Sequence, residues 1–64
     1  MMAWFVIKAY SNNGIRLGID EDAKNPIAGP FRYVEAALKC SEMSIDLGIP
    51  EFNNDVDTYL WEVE

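Results

Sequence analysis

Apolar positions along the chain fall into runs with two different periods. Residues 3 to 10, Ala-Trp-Phe-Val-Ile-Lys-Ala-Tyr, are β-branched and aromatic and end at Ser11-Asn12-Asn13-Gly14, the composition of a tight turn. Ile15 to Asp20 then reads as the hairpin partner of that first strand, and two registers are open to it. A two-residue Asn13-Gly14 loop sets Tyr10 opposite Leu17 and moves Arg16 and Asp20 onto the face of Phe5, Ile7 and Ala9. A three-residue Asn12-Asn13-Gly14 loop, with Gly14 left-handed, instead pairs Ala9 with Leu17 and Ile7 with Ile19. The second register gives one unbroken apolar face and is the one expected.

The helical period takes over after Gly29. Gly29 as N-cap and Pro30 at the first helical position open a helix that the Gly48-Ile49-Pro50 sequence closes at about Leu47. Phe31, Val34, Leu38, Ser41 and Ile45 share one narrow stripe, with Ala37 at its margin, and this stripe is expected to face the core. Beside it runs a charged strip of Arg32, Glu35, Lys39, Glu42 and Asp46. Tyr33, Ala36, Cys40, Met43 and Leu47 form a second, weaker apolar side. The remaining segments are shorter. Asp20 to Asn25 is a polar connection, Pro26-Ile27-Ala28 an extended approach to the helix, and Glu51 to Asp55 a loop. Val56 to Val63 alternates imperfectly, with Tyr59, Trp61 and Val63 on one side, and reads as a third strand.

These elements predict an α+β fold: a single ββαβ domain over residues 1–64, with a three-stranded antiparallel sheet in the order 2-1-3 and one helix packed on one face. The helix is expected to cover Phe5, Ile7 and Ala9. Trp4, Val6, Lys8 and Tyr10 are then left on an open aromatic face, and Trp4, Val6 and Tyr10 become candidate contacts for a protein partner or a homodimer.

Composition narrows the chemistry. Half of the 64 residues are hydrophobic, too many for a disordered tail, yet a chain of this length buries only about 60% of its unfolded surface. Cys40 is the sole cysteine and there is no histidine, so no internal disulfide forms and a classical His-dependent triad is impossible. The apolar run from Met1 to Ile7 lacks the basic flank and length of a signal peptide, and no run reaches bilayer length, so a soluble cytoplasmic protein is expected. Asn53, Asp55, Asp57 and Glu64 match four positions of a calcium loop, but Thr58 stands where its turn requires glycine. No cofactor or metal is implied, and an enzyme is not expected.

The formal charge of −6 is unevenly placed. Residues 1–39 hold all five bases and four acids, a net of +1; residues 40–64 hold no base and seven acids, a net of −7. Glu42, Asp46, Glu51, Asp55, Asp57, Glu62 and Glu64 are therefore the candidate acidic contacts. Direct binding to nucleic acid is disfavoured, because that affinity comes from Lys and Arg neutralising phosphates. A protein partner with a basic surface is favoured, the carboxylates standing in for phosphates.

Gly29-Pro30-Phe31 followed by Glu35-Ala36, between a hairpin and a final strand, resembles a phrase of small ββαβ proteins of phages and bacteria, including the peptidoglycan-binding SPOR repeat. In its small size, strong acidity and lack of a cofactor signature the chain is similar to phage-encoded anti-defence proteins such as anti-CRISPR inhibitors. That second likeness is one of style and assigns no residue. It implies an inhibitor that blocks a basic nucleic-acid-binding surface of a host complex.

Overall fold

The most apolar run of the chain becomes the middle of the sheet. In the computed structural model, which describes residues 2–63, Trp4–Ser11 forms strand β1 and pairs antiparallel with β2, Gly14–Asp20. The opposite edge of β1 is shared by two short strands. β3, Ala28–Phe31, lies beside its first half (Trp4 with Phe31, Val6 with Ala28). After helix α1, Tyr33–Leu47, strand β4, Tyr59–Glu62, lies antiparallel beside its second half (Ala9 with Glu62, Tyr10 with Trp61). The expected α+β domain is found, with β1 central between its hairpin partner and an antiparallel C-terminal strand. The fourth strand, β3, is an addition.

The hairpin takes neither expected register. Its loop is Asn12-Asn13, with Ser11 opposite Gly14, so Val6 faces Ile19, Lys8 faces Leu17 and Tyr10 faces Ile15. Ser11 sets the turn: its Oγ accepts the Asn13 N–H at 3.0 Å and donates to the Gly14 carbonyl at 2.8 Å, and Gly14 takes φ 103°. Arg16 consequently points to the face of Ile7 and Ala9. That position is satisfied because its Nε lies 3.2 Å from the Asp57 carboxylate, 41 residues along the chain.

Gly29 and Pro30 belong to β3 and not to the helix. Gly29 has φ 123°, and a Cβ there would lie 2.7 Å from the Phe5 ring, so glycine is needed for the strand to close on β1. The helix starts three residues later than expected. Arg32 is its N-cap, and its backbone N–H donates to Glu35 Oε1 at 3.0 Å. The end falls as expected: Gly48 is left-handed (φ 67°), and the N–H groups of Gly48 and Ile49 both reach the Ser44 carbonyl.

The helix is turned half around from the expected orientation. Ala36 and Cys40 are buried and meet Val6 and Leu17, with Ile19, Ala28, Phe31, Met43 and Ile49 packed around them. Val34, Leu38 and Ile45, expected in the core, are 65%, 68% and 83% exposed. The helix thus covers the Val6 side of the sheet, not the side of Phe5, Ile7 and Ala9.

That other side is covered too, by the segment after the helix. Pro50 and Phe52 clip onto the outer edge of β2, Leu17 N–H reaching the Pro50 carbonyl and Phe52 N–H the Leu17 carbonyl. Phe52 then stacks on Tyr59 with ring centres 3.7 Å apart, and the Tyr59 hydroxyl occupies the place a side chain on Gly18 would need. Ile7 and Ala9 are buried beneath. Tyr59 and Trp61 do not share a side as the alternation suggested. Ser11 pairs with Tyr59 while Tyr10 pairs with Trp61, so Leu60 is an extra residue in a bulge that sends the two aromatic rings to opposite faces.

Candidate partner-binding surface

Placed in the fold, the acidic residues of the C-terminal part divide into structural and exposed ones. Asp57 is structural. Its carboxylate is buried, accepts Asn13 Nδ2 at 2.7 Å and the Asn53 N–H at 3.0 Å, and pairs with Arg16. The Asn13 amide, the Asn53 N–H and then the Arg16 charge hold it below the ordinary carboxylate range. It ties the hairpin turn to the segment before β4, so the expectation that Asp57 meets a partner gives way to a role in folding. Glu62 is half-buried and clamps a loop, accepting the Lys24 N–H at 2.9 and 3.2 Å. Glu64 lies outside the described residues.

Glu42, Asp46, Glu51 and Asp55 are exposed. Among the described residues only Glu42 of these four meets a basic side chain, Lys39 Nζ at 3.1 Å. Asp55 serves its own loop through its N–H to Asn53 Oδ1. Glu51 is positioned most firmly: both its carboxylate oxygens accept from Ser41 Oγ at 3.2 Å, and its backbone sits beside Leu17.

Glu51 opens onto a groove of about 400 Å³ along the outer edge of β2. Trp4 and Tyr33 form one end, in an edge-to-face pair with centroids 4.9 Å apart. Phe52 and Tyr59 line the other, and Leu17, Gly18 and Ile19 lie along its floor. Because Leu17 directs its N–H and C=O outward to Pro50 and Phe52 respectively, the strand alternation directs those of Ile19 outward as well. The groove therefore combines aromatic rings, backbone polar groups and one carboxylate. Cys40 also borders it, but burial, then the Glu51 charge and a hydrogen bond to Glu51, push its thiol up to about 11. At neutral pH it is a protonated, inert group rather than a nucleophile.

The open aromatic face expected of Trp4, Val6 and Tyr10 is not one surface. Val6 is fully buried under α1, and Trp4 packs on Tyr33 at the helix N-terminal end. Tyr10 remains partly exposed, against Trp61 at 5.1 Å on the far half of the sheet. All three share a strand face as the period of two requires; what the pattern could not show is that the helix lies over that face. The groove residues Phe52 and Tyr59 are not marked by the sequence as site residues: Phe52 lies in a loop and carries no periodic signal, and the bulge at Leu60 separates Tyr59 from the side the alternation gives it.

Among the described residues, no helix is long and apolar enough to cross a membrane. Comparisons of the chain with protein-family models, with curated proteins and with solved structures return no match.

Proposed function

We propose that the protein is a non-enzymatic interaction module that engages a basic surface of a protein partner. The observation that carries this reading is the groove beside β2, where Glu51 is held at aromatic rings with no cation of its own chain among the described residues. A lysine or arginine side chain entering there gains both the carboxylate and the ring faces. Asp46 and Asp55 add exposed negative charge.

The partner that fits this charge best is a protein whose basic surface ordinarily holds nucleic acid, the carboxylates taking the positions of phosphates. An inhibitor of a nucleic-acid-handling host complex would work in this way. The test is binding to such basic proteins across a salt series, with nucleic acid as competitor. Affinity should fall steeply with salt, fall again in Glu51→Gln, and be lost as nucleic acid is added. Affinity indifferent to salt and to the Glu51 charge would exclude the reading.

A further inference from the structure

The outward side of α1 is apolar where a surface helix is usually polar. At 100° per residue, Val34, Leu38, Ser41 and Ile45 fall within about 60° of arc, and the three large residues are 65%, 68% and 83% exposed. The stripe has acids on both flanks. Glu35, Glu42 and Asp46 lie along one side, against Arg32 at the N-cap and Lys39, which Glu42 already holds. On the other side Ser41 carries the Glu51 carboxylate.

This charge arrangement selects the occupant. In an antiparallel pair of copies of this helix, the two-fold axis carries each flank onto itself end for end, so Asp46 would lie near Arg32 and Glu35 of the copy, and three acids and two bases would meet the same set. A parallel pair would set them against the Glu51 flank. Both arrangements set a net acidic flank against a net acidic flank, between chains of charge −6. A partner with an apolar ridge and basic flanks meets no such conflict: its ridge covers Val34, Leu38 and Ile45 while its lysines and arginines reach acids on either side.

We propose that the outward face of α1 is a docking surface for a basic amphipathic segment of a partner protein, with Leu38 at its centre and Glu51 joining it to the groove. The proposal rests on the reading of the protein as a module for basic partners, and it names the surface by which that partner is held.

The experiment uses the full chain, isotope-labelled, titrated with a synthetic peptide carrying leucine and lysine at helical spacing, and with its counterpart carrying glutamate for lysine. The lysine peptide should shift the amide signals of Val34, Leu38, Ser41 and Ile45, and the glutamate peptide should not bind. Leu38→Asp should weaken binding by about tenfold or more, as the loss of a central anchor does. Ile45→Ser, at the most exposed position, gives a second variant whose fold is not in question. Shifts confined to Ile19, Glu51 and Phe52 would overturn the helix-face proposal while leaving the basic-partner reading intact. No binding of the lysine peptide, or equal binding of the glutamate peptide, would overturn both. Sedimentation as a dimer that Leu38→Asp converts to monomer would overturn the choice of occupant.

Discussion

The two sides of α1 are both apolar, and they differ in size rather than in kind. Ala36 and Cys40 face the sheet and are buried; Val34, Leu38 and Ile45 face away and are exposed. Hydrophobicity alone would order them the other way. Side chains already rise from the sheet at Val6, Leu17 and Ile19. A helix that lies close upon them needs small residues along its contact line, because interiors are filled to crystal-like density and extra methylenes have nowhere to go. Large residues on the other side are then free to serve something outside the chain.

The largest expected effect comes from removing what the small residues pack on. Leu17→Ala takes away a fully buried side chain at the centre of the core and should cost about 2–5 kcal/mol. In a domain of this size that approaches the whole stability, so the variant should be largely unfolded by circular dichroism at room temperature. A loss near zero would mean that the helix does not rest on Leu17. The inward side can also be overfilled. Ala36→Leu should destabilise by about 1–3 kcal/mol, read as a lower denaturant midpoint at unchanged slope. Tolerance of leucine at Ala36 would show that the helix sits further from the sheet than its small residues imply.

The sequence shows why this orientation could not be read in advance. Periodicity marks where a stripe lies on a helix, not how near its neighbour comes, and the stripe of Val34, Leu38 and Ile45 is the more hydrophobic of the two. The hairpin register failed for a related reason. Arg16 looked misplaced on an apolar face because its partner, Asp57, lies far along the chain in a segment with no pattern of its own. Local signals fared better: the β1 run and the left-handed Gly48 stop both stand where their residues put them. Gly29-Pro30 was a local signal misassigned, since a glycine with positive φ followed by proline suits a strand closing on Phe5 as well as a helix start. Of the candidate contacts, exposure separates Glu42, Asp46, Glu51 and Asp55 from Asp57, a distinction that counting charge along the chain cannot make.

A smaller effect is expected where the helix ends. Gly48 sits at φ 67° with open space around it, so Gly48→Ala meets no clash and loses only the glycine's conformational freedom, about 1 kcal/mol. A larger loss would mean that the turn into Ile49, and through it the inward side of the helix, depends on more than backbone angle.

The Asp57 contribution shows itself only on acidification. Its folded pKa lies below the ordinary carboxylate range, so the unfolded chain takes up the proton first as pH falls. Its stabilisation is therefore complete above about pH 4 and is lost as pH falls through the folded value. Asp57→Asn should be less stable than the wild type at neutral pH, and the difference should shrink in denaturant titrations near about pH 3. A difference that stays constant with pH would assign the loss to hydrogen-bond geometry rather than to charge.

The smallest effect on stability belongs to the outward stripe, and its smallness is what the contrast requires. Val34→Ser and Leu38→Ser remove apolar surface that is already mostly in water, so each should change stability by about 0.5 kcal/mol or less, chiefly through helix propensity. Denaturant midpoints measured at two protein concentrations distinguish the sources of any larger change. A loss of about 2 kcal/mol independent of concentration would place Leu38 in a core within the chain and reverse the two sides of α1. A loss that grows with concentration would come from association. Midpoints unmoved in both variants, beside a strongly destabilised Ala36→Leu, would leave Val34, Leu38 and Ile45 with no folding role, so that their apolarity is explained by contacts the chain makes with another molecule.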